Sequence, residues 1–394
     1  MKQIIASILI IIIFFPSCRK EDNRNSSQSY DCSFSFADSS RANVNHTKYA
    51  QLITEITASG VPGIMLSIHK PDVGMWLGAS GKADLSNKVD MKPCYISRMG
   101  STVKTFTAVT ILKLKEEGKL NLDDKAAMYL PVSITHNISN AERATIRQLL
   151  NHSSGIFNYI QNTKFQTESL NNLIKEWKPD ELLSYARGKS AYFEPGTDTY
   201  YSNTNYVFLG MIIEKVTGKP FWQAFQEKIF IPLGLNSTSF AATNKVPSNI
   251  VRGYADLYSN LQVVDATYFS GWDYYTADGG LISNVYDMNI FMQRLFSGSI
   301  INSNSLNEML TTITPKKADD EFFPMEYGLG IFKISTPFGD AYMHSGDAIG
   351  YYANIVHFPT TNTTIVWSVN GNYGKIDQFT SSKKAMEKIF ATVF

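Results

Sequence analysis

The chain has 394 residues, with 36 Lys and Arg against 35 Asp and Glu, a formal charge of +1. That neutrality argues against a protein built to hold nucleic acid, which needs a basic surface to displace counterions. A 44% hydrophobic and 13% aromatic composition excludes a disordered chain, and with no repeat of about 20–50 residues the length leaves about two domains, or one domain of two lobes.

Lys2 supplies a positive charge near the start, and Ile4 to Phe15 is apolar apart from Ser7. As a helix that run rises about 18 Å, short of a roughly 30 Å hydrocarbon core. Residues 1–17 therefore read as a secretory signal peptide. Phe15-Pro16-Ser17-Cys18, followed by the charged, Ser-rich stretch Arg19 to Ser29, resembles a bacterial lipoprotein signal. By that resemblance Cys18 is the lipidated first residue of the mature protein and its link to a membrane. An ordinary secretory signal with an incidental Cys is the alternative, and either reading puts the mature protein outside the cytoplasm. Residues 18–44 then read as the lipidated Cys with a flexible tether, and 45–394 as the folded domain. Cys32 and Cys94 could pair in an oxidising compartment; Cys94 reads equally as a small buried residue.

Tyr49, Leu52, Ile53 and Ile56 fall at helical spacing, and Gly60 ends that element. Ile64 to His69 and Met75 to Ala79 read as two strands joined by a turn at Pro71-Asp72. A long apolar helix is predicted from near Ser101 to Gly118, a good C′ residue. From about 120 to 310 the pattern is mostly helix and loop. Pro179 and Pro220 stand at N1 positions, and Tyr206 to Lys215, Phe221 to Phe230 and Val285 to Leu295 carry helical apolar stripes. Strands return at Gly328 to Ile334, Ala341 to Ser345, Tyr351 to Phe358 and Thr364 to Val369, and Ile376 to Phe394 reads as one closing amphipathic helix. The predicted fold is α/β of the α+β type: an antiparallel sheet flanked by the terminal helices, with a mainly helical lobe inserted at about 120–310. A cleft between the lobes is the natural place for a site.

No G-x-S-x-G elbow, H-E-x-x-H, H-x-H, Walker or dinucleotide fingerprint occurs, and the six His are scattered. No metal or cofactor is expected. Gly100-Ser101-Thr102-Val103-Lys104 opens the long helix. S-x-x-K sets its two side chains about 5–6 Å apart on one helical face, and a Lys that loses its proton can serve as base for a Ser nucleophile. Bringing a Lys from about 10.4 to near 7–8 requires about 4 kcal/mol from burial and neighbours. Ser17/Lys20, Ser67/Lys70 and Ser381/Lys384 match the same pattern, but they lie in the signal, in a strand and on a solvated helical face. Only Lys104 is a lone charge in an apolar helical stretch.

Tyr201-Ser202-Asn203 sits in a turn-rich loop directly before a helix, where a Tyr beside a Lys can relay protons and Asn203 can bond both Lys and substrate. Tyr258 and Tyr352, in the other two Y-x-N matches, read as structural. His344-Ser345-Gly346-Asp347 follows a strand, and Gly346 permits close approach of another backbone. His152 reads as bracing a loop.

Gly100-Ser101-x-x-Lys104, Tyr201-x-Asn203 and His344-x-Gly346 occur in the order found in serine penicillin-recognising enzymes. The chain resembles class C β-lactamases, D,D-carboxypeptidases and β-lactamase-like esterases over about residues 45–394. Val61-Pro62-Gly63, Leu149 to Gly155, Pro232 to Leu235 and Gly279 to Ser283 match as well. The resemblance implies a β-lactamase/transpeptidase-like fold, with Ser101 as acylated nucleophile and Lys104 as its base partner. Tyr201 would shuttle the proton and Asn203 would position substrate. His344 would stand where the commoner motif has Lys, and the backbone N–H groups of Ser101 and Asp347 would form the oxyanion hole. It implies a small-molecule or peptidoglycan-type peptide substrate, cleaved as an amide, peptide or ester. A class C β-lactamase and a catalytically silent binding lipoprotein are the alternatives. Specificity is expected in the loops Phe157 to Tyr192 and Leu257 to Asp278.

Overall fold

The computed structural model describes residues 39–240, 247, 249–269 and 276–394, and every count below is of these. The predicted signal, Cys18 and Cys32 lie outside them. Cys94 is disulfide-bonded. The packed part begins earlier than the sequence suggests. Residues Ser39–Ala42 form a 3₁₀ turn, and the Ser40 hydroxyl accepts the Leu77 N–H at 2.9 Å, so the last residues of the expected tether already belong to the body.

From the N-terminal side, α1 (His46–Ala58) leads into the hairpin β1 (Gly63–Lys70) and β2 (Gly74–Asp84), then β3 (Val89–Asp90), β4 (Ser97–Gly100) and α2 (Val103–Glu116). The helical lobe carries α3 (Val132–Thr135), α4 (Ile146–Leu150), α5 (Thr163–Asn171), α6 (Pro179–Ser184), α7 (Asn203–Thr217), α8 (Phe221–Phe225) and α9 (Ile231–Leu233). Short strands follow, β5 (Ser239–Phe240), β6 (Tyr254–Ala255), β7 (Val264–Asp265) and β8 (Leu281–Ser283), then α10 (Val285–Phe296) and α11 (Ser303–Leu310). The chain closes through β9 (Met325–Tyr327), β10 (Phe332–Thr336), β11 (Gly339–Ala348), β12 (Tyr351–Phe358), β13 (Thr363–Val369), β14 (Gly371–Asn372), α12 (Gly374–Thr380) and α13 (Lys383–Val393).

The main sheet has eight antiparallel strands in the order β3-β2-β1-β13-β12-β11-β10-β9. It joins both ends of the chain, as the two-lobe reading requires. Alternation sorts its residues: Ile64, Leu66 and Ile68 join Tyr49 and Ile53 of α1 and Ile389 and Phe390 of α13 on one face, whereas Met65 and Val366 face the core around α2. With both faces covered, the middle strands β1, β12 and β13 are buried along almost their whole length.

Three local expectations need correction. The closing helix is two helices, because the Ser381 and Ser382 N–H groups both turn back to the Asp377 carbonyl (3.1 and 3.0 Å) and the Ser382 hydroxyl caps a new start at Ala385 (3.2 Å). The strand predicted over Gly328 to Ile334 is interrupted: Gly330 takes φ +67°, and a Cβ there would lie 2.5 Å from the Ala108 Cβ of α2, so the chain turns there before β10 begins. Pro220 is the N-cap of α8 rather than its first residue, and the stripe to Phe230 runs on through a wide π turn at Gln226–Phe230. The helical lobe also contributes a strand that the sequence did not suggest, β8, which pairs with β4 and braces the start of α2.

Candidate active site

Ser101 lies where β4 ends and α2 begins. Gly100 turns the chain with φ +49°, and a Cβ there would come 2.6–2.8 Å from the backbone of Asp347. Across the gap, a Cβ at Gly346 would lie 2.0 Å from the Met99 carbonyl oxygen and 2.8 Å from the Ser101 nitrogen. The two glycines let β11 lie against the Ser101 segment at a distance no side chain permits. Pairing of β10 with β11 stops at Phe332↔Met343, so His344–Ala348 pairs with β12 alone within the sheet and turns its other edge toward β4. This brings the backbone of Asp347 beside that of Ser101.

Arg98, on β4, is buried. It donates to the carbonyl oxygens of Thr267 (2.9 Å) and Phe269, and its guanidinium stands 5.2 Å from the Tyr351 ring centre.

Lys104 is fully buried. Its ammonium nitrogen is 2.9 Å from the Ser101 hydroxyl oxygen and 2.5 Å from the Asp278 main-chain oxygen. It also stands 5.1 Å from the Tyr201 ring centre and 5.5 Å from that of Tyr206, both within cation–π range. The Asp278 carboxylate accepts the Tyr159 hydroxyl at 3.0 Å. Burial pushes that carboxyl above its usual range, with Lys104 pulling the other way.

The Tyr201-x-Asn203 segment is held from behind by the loop after α4. His152, at φ +59°, accepts the Ser202 N–H on Nδ1 (3.0 Å) and lays its ring 4.4 Å from that of Tyr201. Asn158 accepts the Asn203 N–H (3.2 Å) and donates to the Tyr201 carbonyl (3.4 Å). Asn203 is buried, and its side-chain oxygen has no hydrogen-bond partner among the described residues.

His344 is 1% exposed, with its ring 6.3 Å from Tyr201 and 4.8 Å from Phe332. Its Nδ1 is 2.6 Å from the Ser345 carbonyl oxygen, so Nδ1–H donates there and Nε2 carries a lone pair. Burial, and after it the charge of Lys104, hold this imidazole down to about 3. Burial and the same charge lower His152 well below the ordinary histidine value. Both rings are therefore neutral at pH 7, and Lys104 has two uncharged neighbours.

The predicted residues Ser101, Lys104, Tyr201, Asn203, His344, Gly346 and Asp347 thus come from three separate stretches of chain to one place. Such a cluster can move a proton from a hydroxyl to an amine and hold an anion on backbone donors. A match to the Beta-lactamase family model runs over residues 49–383. The chain belongs to the Beta-lactamase family.

Among curated proteins, Penicillin-binding protein 4* of Bacillus subtilis (strain 168) is 28% identical over 318 residues, 78% of this chain and 68% of that protein. Protein flp of Staphylococcus aureus (strain N315) is 32% identical over 214 residues, 54% of this chain and 41% of flp, so that match spans under half of flp's length. Among solved structures, a D-stereospecific amidohydrolase from Streptomyces sp. superposes with a TM-score of 0.76 at 29% identity, covering 88% of this chain and 98% of that one. The D-amino acid amidase from Ochrobactrum anthropi SV3, complexed with L-phenylalanine amide, gives 0.77 at 25% identity, covering 89% and 97%.

Within this Beta-lactamase family member, sequence reading passed over Tyr206, Asn158, Tyr159 and Asp278. Tyr206 was read only as part of an apolar stripe. Asp278 stands one residue before the Gly279-Gly280 pair already singled out, and an acidic residue beside that pair was the available signal.

Proposed function

We propose that this protein is a serine hydrolase that cleaves amide, peptide or ester acyl groups through an acyl-enzyme, with a preference for uncharged leaving groups. The observation that carries the reading is the 2.9 Å contact between the buried Lys104 amine and the part-exposed Ser101 hydroxyl. In this reading the free amine takes the Ser101 proton as Oγ bonds to the substrate carbonyl carbon. The negative charge that develops on the carbonyl oxygen meets the N–H groups of Ser101 and Asp347. Tyr201 passes a proton to the leaving nitrogen or oxygen, the bond to it breaks, and the acyl group stays on Oγ. Water, losing its proton through the same Tyr201–Lys104 pair, then releases the acid and restores the hydroxyl.

The neutral imidazole of His344 supports the finer part. Where the commoner motif sets a Lys as a cation for a substrate carboxylate, this chain has an uncharged ring. That favours amides and esters over a free D-Ala-D-Ala terminus. The amidohydrolase and amidase among its structural neighbours accord with this preference. The apolar run ahead of Cys18 supports a lipid-anchored enzyme facing away from the cytoplasm.

Fluorophosphonate labelling followed by peptide mapping tests the nucleophile. A single adduct on Ser101 is expected, and no adduct, or one on another Ser, overturns the hydrolase reading. A panel of D-amino-acid amide, p-nitrophenyl ester, D-Ala-D-Ala peptide and nitrocefin tests the preference. Faster turnover of the D-Ala-D-Ala peptide than of its C-terminal amide overturns it.

A further inference from the structure

A cavity of about 520 Å³ lies beside the site, lined by residues of both loops in which specificity is expected. Its wall from the first loop includes Ile160, Phe165 and Leu173, its wall from the second includes Phe269, and Ile349 and Tyr373 complete it. The one charged side chain in its lining, Asp256, is turned to backbone work: it accepts the N–H groups of Asn260 (3.0 Å), Leu261 (3.1 Å) and Lys375 (3.0 Å). The remaining lining is dominated by aliphatic and aromatic carbon, so the cavity rewards an apolar guest.

Its walls are continuations of the segments that build the site. Ile160 follows by two residues Asn158, which accepts the Asn203 N–H. The Phe165 ring packs edge-on against Tyr159 at 5.3 Å, and Tyr159 bonds the Asp278 carboxylate. Ile349 follows Asp347 by two residues. A strand advances about 3.3 Å per residue, so the direction of β11 orders the site. His344, with Tyr201 close by, lies about 10 Å before Asp347, and β11 ends at Ala348, so Ile349 opens the turn on the far side of Asp347. With the carbonyl carbon at Asp347, the leaving group faces Tyr201 and the acyl group points toward Ile349.

We propose that this cavity is the subsite for the acyl part of the substrate, and that it selects an aromatic or large branched aliphatic side group. The inference rests on the hydrolase reading above. The volume exceeds what a methyl group fills, and the apolar contact formed by a phenyl or isobutyl group is expected to raise kcat/KM roughly 10- to 100-fold over a methyl group.

The test compares p-nitrophenyl acetate with p-nitrophenyl 3-phenylpropanoate, on the wild type and on Ser169→Trp, which fills the cavity from α5. The wild type should favour the phenylpropanoate at least 10-fold, and Ser169→Trp should bring the ratio near one while acetate turnover and fluorophosphonate labelling stay unchanged. An acetate ester with the phenyl group on its alcohol should be indifferent to the substitution. A wild-type ratio near one, or a ratio untouched by Ser169→Trp in a labelled protein, overturns the subsite and leaves the hydrolase standing. Absence of labelling in the wild type overturns the hydrolase itself. If Ser169→Trp fails to fold, inhibition of the wild type by methylboronic and 2-phenylethylboronic acids decides the matter. The phenylethyl compound should bind at least 10-fold more tightly, and equal inhibition overturns the subsite.

Discussion

Asp278 meets Lys104 with its main-chain oxygen, at 2.5 Å, while its carboxylate is bonded to Tyr159. The acceptor that holds the Lys104 amine is thus independent of the Asp278 side chain. Asp278→Asn keeps the backbone acceptor and a side-chain oxygen for Tyr159, and should retain activity within about tenfold. Asp278→Ala takes the carboxylate acceptor away from the Tyr159 hydroxyl and should cost about 1–3 kcal/mol of stability. Urea unfolding of the two variants, with kcat/KM beside it, checks both; equal destabilisation would deny the Tyr159 contact its role.

Ser101→Ala should abolish acylation and leave the melting temperature close to wild type, since the side chain is part-exposed. Lys104→Met, which keeps apolar volume, and Tyr201→Phe should each lower kcat by about 10³-fold or more, and the double variant should lose little beyond either, because the groups act as a unit. Steady-state rates on one ester are enough. Normal turnover in Tyr201→Phe would remove it from the mechanism.

Stability should fall with acid because of buried histidines. His357 is 2% exposed, bonds Thr364 through Nδ1 at 2.9 Å and stacks on Phe296 at 4.0 Å. Burial, and then the charge of His69, hold it down to about 4. The folded state then binds fewer protons than the unfolded chain between about pH 4 and the ordinary histidine value near 6.5. The contribution is complete above that value and is lost as pH drops toward 4, amounting to about 2 kcal/mol at pH 5. His357→Gln should narrow the difference in unfolding free energy between pH 7 and pH 5 by that amount. For His344 the same sign predicts no histidine inflexion in kcat/KM between pH 5 and 8.

Gly346→Ala inserts a methyl group 2.0 Å from the Met99 carbonyl oxygen. The strand must move away from Ser101, and the N–H groups of Ser101 and Asp347 separate. A fall in kcat of about 10²-fold is expected, the scale of losing one such donor, together with a lower melting temperature. Unchanged kcat would mean that Asp347 does not supply a donor.

Cys18→Ser should release the protein from membrane fractions. Continued sedimentation with membranes would overturn lipid anchoring.

Chemistry was legible in the sequence where a residue's type conflicted with its surroundings. Lys104 stood out because a lone charge in an apolar helix needs a purpose, and Tyr201 and His344 because turn-rich and Gly-flanked segments place polar groups at element ends. Contacts made by main-chain atoms leave no such trace: the Asp278 carbonyl could have been offered by any residue. The fold's alternation and helical stripes gave the main sheet and its flanking helices. Two- to four-residue strands such as β3, β4 and β8 are too short to show a period, and the division between α12 and α13 turned on the capping of a Ser pair inside an otherwise helical stripe.

Arg98 ties the strand that leads into Ser101 to the carbonyls of Thr267 and Phe269, so the cavity wall and Ser101 share one anchor. This constrains how the enzyme could change diet. Substitutions at the outer lip, at Leu170 or Leu257, could reshape the guest it accepts while leaving the serine undisturbed. Remodelling near 267–269 would pull on the reaction centre, so new specificities should evolve from the lip inward.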